Sequence, residues 1–476
     1  MVGGAGLTAA DAPRFGTSGL RGRVRDLSSD LVARHVAAFL RTGPHGGAVL
    51  VGRDLRPSSP TLAEAVAEAV RRAGVDAVAC GAVPTPALAL AARGAGASAI
   101  MVTGSHLPED RNGLKFYRPE GEIDKADERR IADAAASPPA AAARRGGRSV
   151  RGDVGAAWRD RVADAFGPRA LGGRRVGLWE QSSVARDLLA EALAAMGAEV
   201  ERVGRADGFF ALDTEAVDAA TRARIRGWVV ERGLDAVVST DADADRPLVA
   251  DASGALVPGD ALGVLAARAV GATAVAVPVT ANDGIAATGL SVRRTRVGSP
   301  HVLAAMAEAR RTDPDARIAG FEANGGFVMG FDGAGPAGPL PALPTRDSLL
   351  PIAAALAAGP DLAAAVAGLG MRATAADRIA GIDRPTAQAM IERLSRSAKA
   401  RTALLPEIGA ERAVDRTDGL RVRGEAGRVA HLRLSGNAPE MRVYVQATRR
   451  AEAEALLAAL RARVAALLDA QPSDRA

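Results

Sequence analysis

Three times along this chain a short apolar segment of strand character runs straight into a polar loop rich in Gly or Asp. The segments are Ala99-Ile100-Met101-Val102 into Thr103-Gly104-Ser105-His106, Ala236-Val237-Val238-Ser239 into Thr240-Asp241, and Arg317-Ile318-Ala319-Gly320 into Phe321-Glu322. In open α/β sheets, ligands bind outside the carboxyl ends of strands. Three such loops from three similar units are expected to converge on one cleft. The chain has 476 residues, more than the roughly 250–300 that one hydrophobic core supports, so several domains are expected.

The pattern between these loops is alternating strand and helix, an α/β signature. Ala48–Gly52, Ala77–Cys80 and Ser98–Val102 read as strands, and Thr61–Ala73 and Pro86–Arg93 as helices. Asp133–Gly147 is rich in Ala, Pro, Arg and Gly and reads as a linker. The pattern restarts with a strand at Arg175–Leu178 and a helix at Ser183–Met196, then again after the turn Pro258-Gly259-Asp260. Ala274–Pro278 reads as a strand and Thr345–Ala358 as a helix. Beyond about residue 370 the character changes to β at Val429–Leu434 and Arg442–Ala447, with a long amphipathic helix at Arg449–Leu468. The expected domains are 1–150, 151–257, 258–368 and, as a smaller α+β unit, 369–476.

Asp241-Ala242-Asp243-Ala244-Asp245-Arg246 is the sharpest chemical signal. Three carboxylates at alternate positions repel one another if packed together uncompensated, and a hard divalent cation removes that cost. Mg2+ suits a site of few carboxylates completed by phosphate oxygens. Thr103-Gly104-Ser105-His106 precedes Asn112-Gly113-Leu114-Lys115. A phosphorylated Ser105 would give acceptor oxygens to Mg2+, and Lys115 would neutralise a transferring group. Arg433-Leu434-Ser435-Gly436-Asn437 reads as an anion nest with an arginine grip. Glu322 and Asn324, in a Gly-rich loop, suit vicinal sugar hydroxyls. Arg14–Gly22 is a further Gly-rich loop, with Arg14 and Arg21. Taken singly, each loop also reads as an ordinary turn: a solvated acidic turn, a Ser-His turn with a surface lysine, a hairpin turn and an Asn-Gly turn.

Composition narrows the classes. The net charge is +6, but only Lys115, Lys125 and Lys399 among 61 basic residues are lysine. The arginines are scattered among acids and aromatics make up 3%, which argues against nucleic-acid binding. The longest apolar runs fall far short of the roughly 18 residues of a membrane span. The N-terminus has no secretory pattern, and Cys80 is the single cysteine, so a cytoplasmic location is expected. In so biased a chain the four asparagines and two tyrosines are informative, and Asn112, Tyr117, Asn324, Asn437 and Tyr444 fall in or beside the loops above.

Together, and in this order, the loops resemble those of the α-D-phosphohexomutases, the phosphoglucomutase and phosphomannomutase superfamily, from Phe15 to about Tyr444. Phe15–Gly22 looks like the opening signature, with Arg21 reaching the phosphoserine region. Ser105 matches the phosphorylated serine, His106 its neighbour, and Lys115 the lysine of the N-G-x-K segment. Asp241, Asp243 and Asp245 match the Mg2+ ligands, with phospho-Ser105 as the fourth, and Arg246 follows as in the family. Glu322 and Asn324 match the sugar loop, and Arg433, Ser435, Gly436 and Asn437 the phosphate loop. The sequence departs from the pattern with T-G-S-H-L-P for T-A-S-H-N-P and S-G-N-A-P for S-G-T-E-P. It also has E-A-N-G-G where a serine and often a histidine stand.

The resemblance implies three related α/β domains around a central cleft plus a C-terminal α+β domain. It implies Mg-dependent phosphoryl transfer on a hexose phosphate through a bisphosphorylated sugar, which also serves as activator. The loop forms lean towards mannose phosphate. Phosphoglucosamine or phosphopentose mutase, a phosphatase on the same scaffold, and a catalytically silent sugar-phosphate binding protein are the alternatives. The expected partner is a small sugar phosphate, without nucleic acid or membrane, on a monomer or dimer.

Overall fold

The structure is a computed structural model that describes residues 12–16, 19–138, 142–435 and 439–469. Contacts divide the chain into two compact units, Met1–Val275 with Gly298–Ala365, and Ala276–Val297 with Val366–Ala476. The architecture is mixed α/β with several sheets, as expected.

The first sheet of the first unit has eight strands. Its buried middle is Ser98–Val102, flanked in parallel by Ala48–Arg53 and in antiparallel by Arg111–Arg118. Every residue of Ser98–Val102 is buried, which is why its sequence is a continuous apolar run rather than an alternation. The helices around it start on local signals. Ser28 caps Ser29–Arg41 by accepting from Leu31 N, and Asp124 closes a capping box on Lys125–Ala135. Phe39, Val66, Val70, Ile100, Phe116 and Ile131 share the core beneath.

A second sheet runs Glu199–Arg205, Arg175–Gln181, Ala236–Thr240, Pro247–Ala250, parallel until its last, antiparallel strand. The Asp241–Arg246 loop joins those last two strands. Further on, Ile318–Phe321, Phe327–Met329 and Leu343–Asp347 pair antiparallel. The second unit has its own antiparallel sheet, in the order Ala373–Ala380, Glu440–Ala447, Val429–Leu434, Leu420–Arg423, Ala413–Asp415. Its core includes Met390, Leu394, Val443, Leu456 and Leu460. Among the described residues no helix is long and apolar enough to cross a membrane.

Four expectations need correction. Thr345–Asp347 is strand, not helix, and the helix is Leu349–Leu356. Asp347 pairs with Phe327, and its carboxylate accepts from Leu349 N at 3.0 Å, an Asx-type turn that leads from the strand into the helix. Asn112–Tyr117 is not loop but part of the strand Arg111–Arg118. The Gly-rich N-terminal segment is a pair of strands, Arg14–Phe15 and Leu20–Arg23. The expected linker Asp133–Gly147 begins inside the helix Lys125–Ala135.

Candidate active site

Ser105 sits just past the carboxyl end of Ser98–Val102, in a left-handed backbone conformation, φ 52°. A non-glycine residue held there costs of order 1–3 kcal/mol and persists only when its surroundings over-determine it. The surroundings are dense. Ser105 N donates to Thr103 Oγ1 at 2.8 Å. Arg56, 1% exposed, donates to the carbonyls of Ser105 at 2.7 Å, Leu107 at 2.6 Å, Pro108 at 2.6 Å and Arg111 at 2.9 Å. Asp54 braces Arg56 Nε at 3.2 Å and accepts from Thr103 Oγ1 at 2.7 Å. A Cβ on Gly104 would come 2.6 Å from Arg56 Cζ, so the glycine of T-G-S-H makes room for the guanidinium.

The carboxyl ends of two strands from different sheets, Ser98–Val102 and Ala236–Thr240, meet at this serine. Ser105 Oγ donates to Asp241 Oδ2 at 2.6 Å. Asp241, Asp243 and Asp245 are all buried and each offers an oxygen within 4.8 Å of the others. Ala242 and Ala244 between them are fully buried, and Ala244 is left-handed at φ 59°, which curls the loop so that its carboxylates converge. Lys115, on the strand Arg111–Arg118, places Nζ 2.5 Å from both Asp243 Oδ2 and Asp245 Oδ2. Thr85 binds Asp243 twice, through Oγ1 to Oδ2 at 2.5 Å and through N to the carbonyl at 2.9 Å.

Electrostatics follow from burial. Desolvation, reinforced by Asp243 and Asp245, holds the Asp241 carboxyl well above the usual range. Asp245 is also desolvated, but Arg346, Lys115 and Arg246 outweigh that and pull its pKa below the usual range. Asp243 Oδ1 and Asp245 Oδ1 are buried with no hydrogen-bond partner among the described residues. Two orphaned carboxylate oxygens in a group of three acids are the donor set a hard cation takes, so these residues fit Mg2+.

Arg246 stands beside the triad, Nε 3.8 Å from Asp245 Oδ1 and 4.0 Å from Asp241 Oδ2. Arg21 donates to the carbonyl of Gly104 at 3.0 Å, and burial with Arg246 nearby lowers its pKa to about 10. His106 Nδ1 is 3.4 Å from Ser105 Oγ. Burial, then Arg246 and Arg21, push its pKa down to about 2, so the imidazole is neutral and weakly basic. Glu322 and Asn324 are both buried. Asn324 Oδ1 accepts from Gly326 N at 3.0 Å and so shapes its own turn.

The structure brings Ser105, His106, Lys115, Arg21, Arg246 and the three aspartates together in the first unit, with Glu322 linked to them through Arg346. Arg433 and Ser435 lie in the second unit. There Arg433 Nε donates to Asp418 at 2.9 Å and the Ser435 carbonyl accepts from Arg384 at 2.8 Å. Gly436 and Asn437 lie outside the described residues. Sequence reasoning missed Arg56, Thr85 and Arg346. The only local signal for Arg346 is an Arg-Asp pair in the short polar stretch Thr345–Ser348, between Leu343-Pro344 and Leu349-Leu350.

Family models match at both ends: phosphoglucomutase/phosphomannomutase alpha/beta/alpha domain I over residues 12–141, and the C-terminal domain over residues 390–463. The chain is similar to a phosphomannomutase of Sinorhizobium fredii, 44% identical with 94% of this chain and 97% of that protein covered. It is similar to a phosphomannomutase of Salmonella muenchen at 39%, covering 91% of each. A phosphoglucosamine mutase of Thermobifida fusca is 31% identical, covering 93% and 96%. Among solved structures, a phosphoglucomutase/phosphomannomutase family protein from Burkholderia thailandensis shares the fold, with a TM-score of 0.75 at 22% identity over 96% of this chain and 98% of that one.

Proposed function

The chain belongs to the phosphoglucomutase/phosphomannomutase family, a family of isomerases, and we propose that it interconverts the 6- and 1-phosphates of a hexose through a phosphorylated Ser105. Mannose phosphate is the first substrate we assign, because the relatives at 44% and 39% identity are phosphomannomutases; the glucose phosphates are the related pair. The observation that carries the reading is the 2.6 Å contact of Ser105 Oγ with Asp241, at the edge of three converging buried carboxylates. We take the chain as four domains, 1–150, 151–257, 258–368 and 369–476, each bringing one loop.

In this reading a sugar hydroxyl oxygen attacks the phosphorus carried on Ser105 Oγ. A new P–O bond forms to the sugar, the bond to Oγ breaks, and Oγ keeps the electron pair. The sugar bisphosphate turns over, and Ser105 takes back the phosphoryl group from its other end. The proton lost by one sugar oxygen is regained by the other, so the net reaction is an isomerisation. The same bisphosphate would phosphorylate an unmodified Ser105 and so act as activator.

Asp241, Asp243 and Asp245, with phospho-Ser105, would hold Mg2+. When bound, the ion would neutralise charge on the phosphoryl oxygens. Lys115, Arg21 and Arg246 supply fixed positive charge around the same oxygens, in a buried site where it is worth more than in water. His106 orients Ser105 as a neutral partner, since an imidazole with a pKa of about 2 is a poor proton acceptor. Glu322 and Asn324 take sugar hydroxyls, and Arg433, Ser435, Gly436 and Asn437 the phosphate that is not reacting.

Incubation with a hexose 1,6-bisphosphate followed by intact-mass analysis tests the covalent step. One added phosphoryl group on the wild type and none on Ser105→Ala is the expected result. Ser105→Ala should also lose mutase turnover by about a thousandfold or more. Wild-type turnover in that variant would end the assignment.

A further inference from the structure

Arg346 stands on the strand Leu343–Asp347 and is 2% exposed. Its two terminal nitrogens reach carboxylates with different jobs. Nη2 donates to Asp245 Oδ2 at 2.7 Å, and Nη1 to Glu322 Oε2 at 3.5 Å. Burial works against its charge, but Asp245, Glu122 and Glu322 outweigh it and keep its pKa well above the ordinary value.

The two oxygens of Asp245 are treated differently. Oδ2 receives both Lys115 and Arg346, while Oδ1 is buried without a hydrogen bond among the described residues. A carboxylate with one oxygen held between two cations presents the other in a fixed direction. The sugar loop is packed on the same side chain. A Cβ on Gly326 would come 2.9 Å from Arg346 Cδ, 3.1 Å from its Cγ and 2.9 Å from the Asp245 carbonyl. The room that a side chain at position 326 would use is filled by the stem of Arg346, so the departure E-A-N-G-G and the arginine belong to one packing arrangement.

We propose that Arg346 is a positioning residue that couples the cation site to the sugar loop. With Lys115 it holds Asp245 so that Oδ1 faces the cation, and with its other arm it sets Glu322 for the sugar hydroxyls. A guanidinium presents two separate terminal nitrogens to two carboxylates; the single nitrogen of an ammonium bridges only carboxylates whose oxygens converge on it, as those of Asp243 and Asp245 do on Lys115. The inference rests on the cation and sugar roles assigned above.

The test uses the full-length protein, with Mn2+ alone as a paramagnetic probe and mutase kinetics as a second readout. Arg346→Met should weaken Mn2+ binding about tenfold, the order found when a partner of a metal ligand is removed, and should raise KM for the sugar phosphate. Arg346→Lys should recover most of the Mn2+ affinity while KM stays high. In a double-mutant cycle, Glu322→Gln and Arg346→Lys should raise KM by less together than the product of their separate effects. Wild-type Mn2+ affinity in Arg346→Met, unchanged KM in Arg346→Lys, or simple multiplication in the cycle would overturn the coupling. Loss of folding in Arg346→Met leaves the lysine variant to decide. A wild-type protein that binds no Mn2+ would remove the cation site and this coupling together, whereas wild-type binding with an indifferent Arg346→Met would remove the coupling alone.

Discussion

His431 shows how a single buried residue writes itself into stability. It is 1% exposed, its Nε2 lies 2.6 Å from the Asp418 carbonyl, and its ring stacks on Tyr444. Burial is the main cause that lowers its pKa to about 4. The unfolded chain, near 6.5, binds this proton first as pH falls. The stability His431 contributes is therefore complete above about pH 6.5 and lost between there and about pH 4, at up to about 1.4 kcal/mol per pH unit. Urea unfolding across that window should show a shallower pH slope for His431→Gln, which keeps a donor for Asp418. At this scale the sequence was legible through rarity. Lysine is scarce, and Lys115 turned out to bridge Asp243 and Asp245. Arg346 is one of many arginines, so rarity could not mark it.

Among the elements, the strand Arg111–Arg118 carries Lys115 to the triad, and its pairing with Leu20–Arg23 brings Arg21 beside Gly113. The approach is close. A Cβ on Gly113 would come 2.3 Å from the Leu20 carbonyl, a backbone atom that cannot swing away. Gly113→Ala should therefore push the two strands apart, destabilise the protein by about 1–3 kcal/mol and displace Arg21 from Gly104. Equilibrium denaturation together with mutase rate would register both effects. Asn112-Gly113 read as a loop because turn residues and strand interiors share these amino acids when another backbone approaches closely. Thr345–Asp347 read as helix for the complementary reason: strand pairing with Phe327–Met329 overrides a three-residue local preference. The three strand-to-loop junctions were legible because apolar runs bounded by Gly and Asp are local patterns.

For the whole molecule, the division into two units has a thermodynamic consequence. The carboxylate triad and Ser105 belong entirely to the first unit, while the second has a separate core around Met390, Val443 and Leu456. Mg2+ that binds the native triad stabilises the unit that carries it, by about 2.7 kcal/mol at a hundred times its dissociation constant. Scanning calorimetry with Mg2+ against chelator should move the transition of the first unit upward. Asp243→Ala should abolish the Mg2+-dependent part of that shift. An equal shift in the variant would remove the triad as the metal site.

The order of residues alone determined where strands end in polar loops and which side chains those loops offer, because apolar periodicity and turn chemistry act over a few neighbouring residues. Tertiary structure decided which of them meet. Ser105 and Asp241 are 136 positions apart, and Arg346 and Asp245 are 101 apart. A buried charge is stable only beside an opposite one, and that pairing exists only once separate sheets have packed and excluded the water that would otherwise solvate each group by itself.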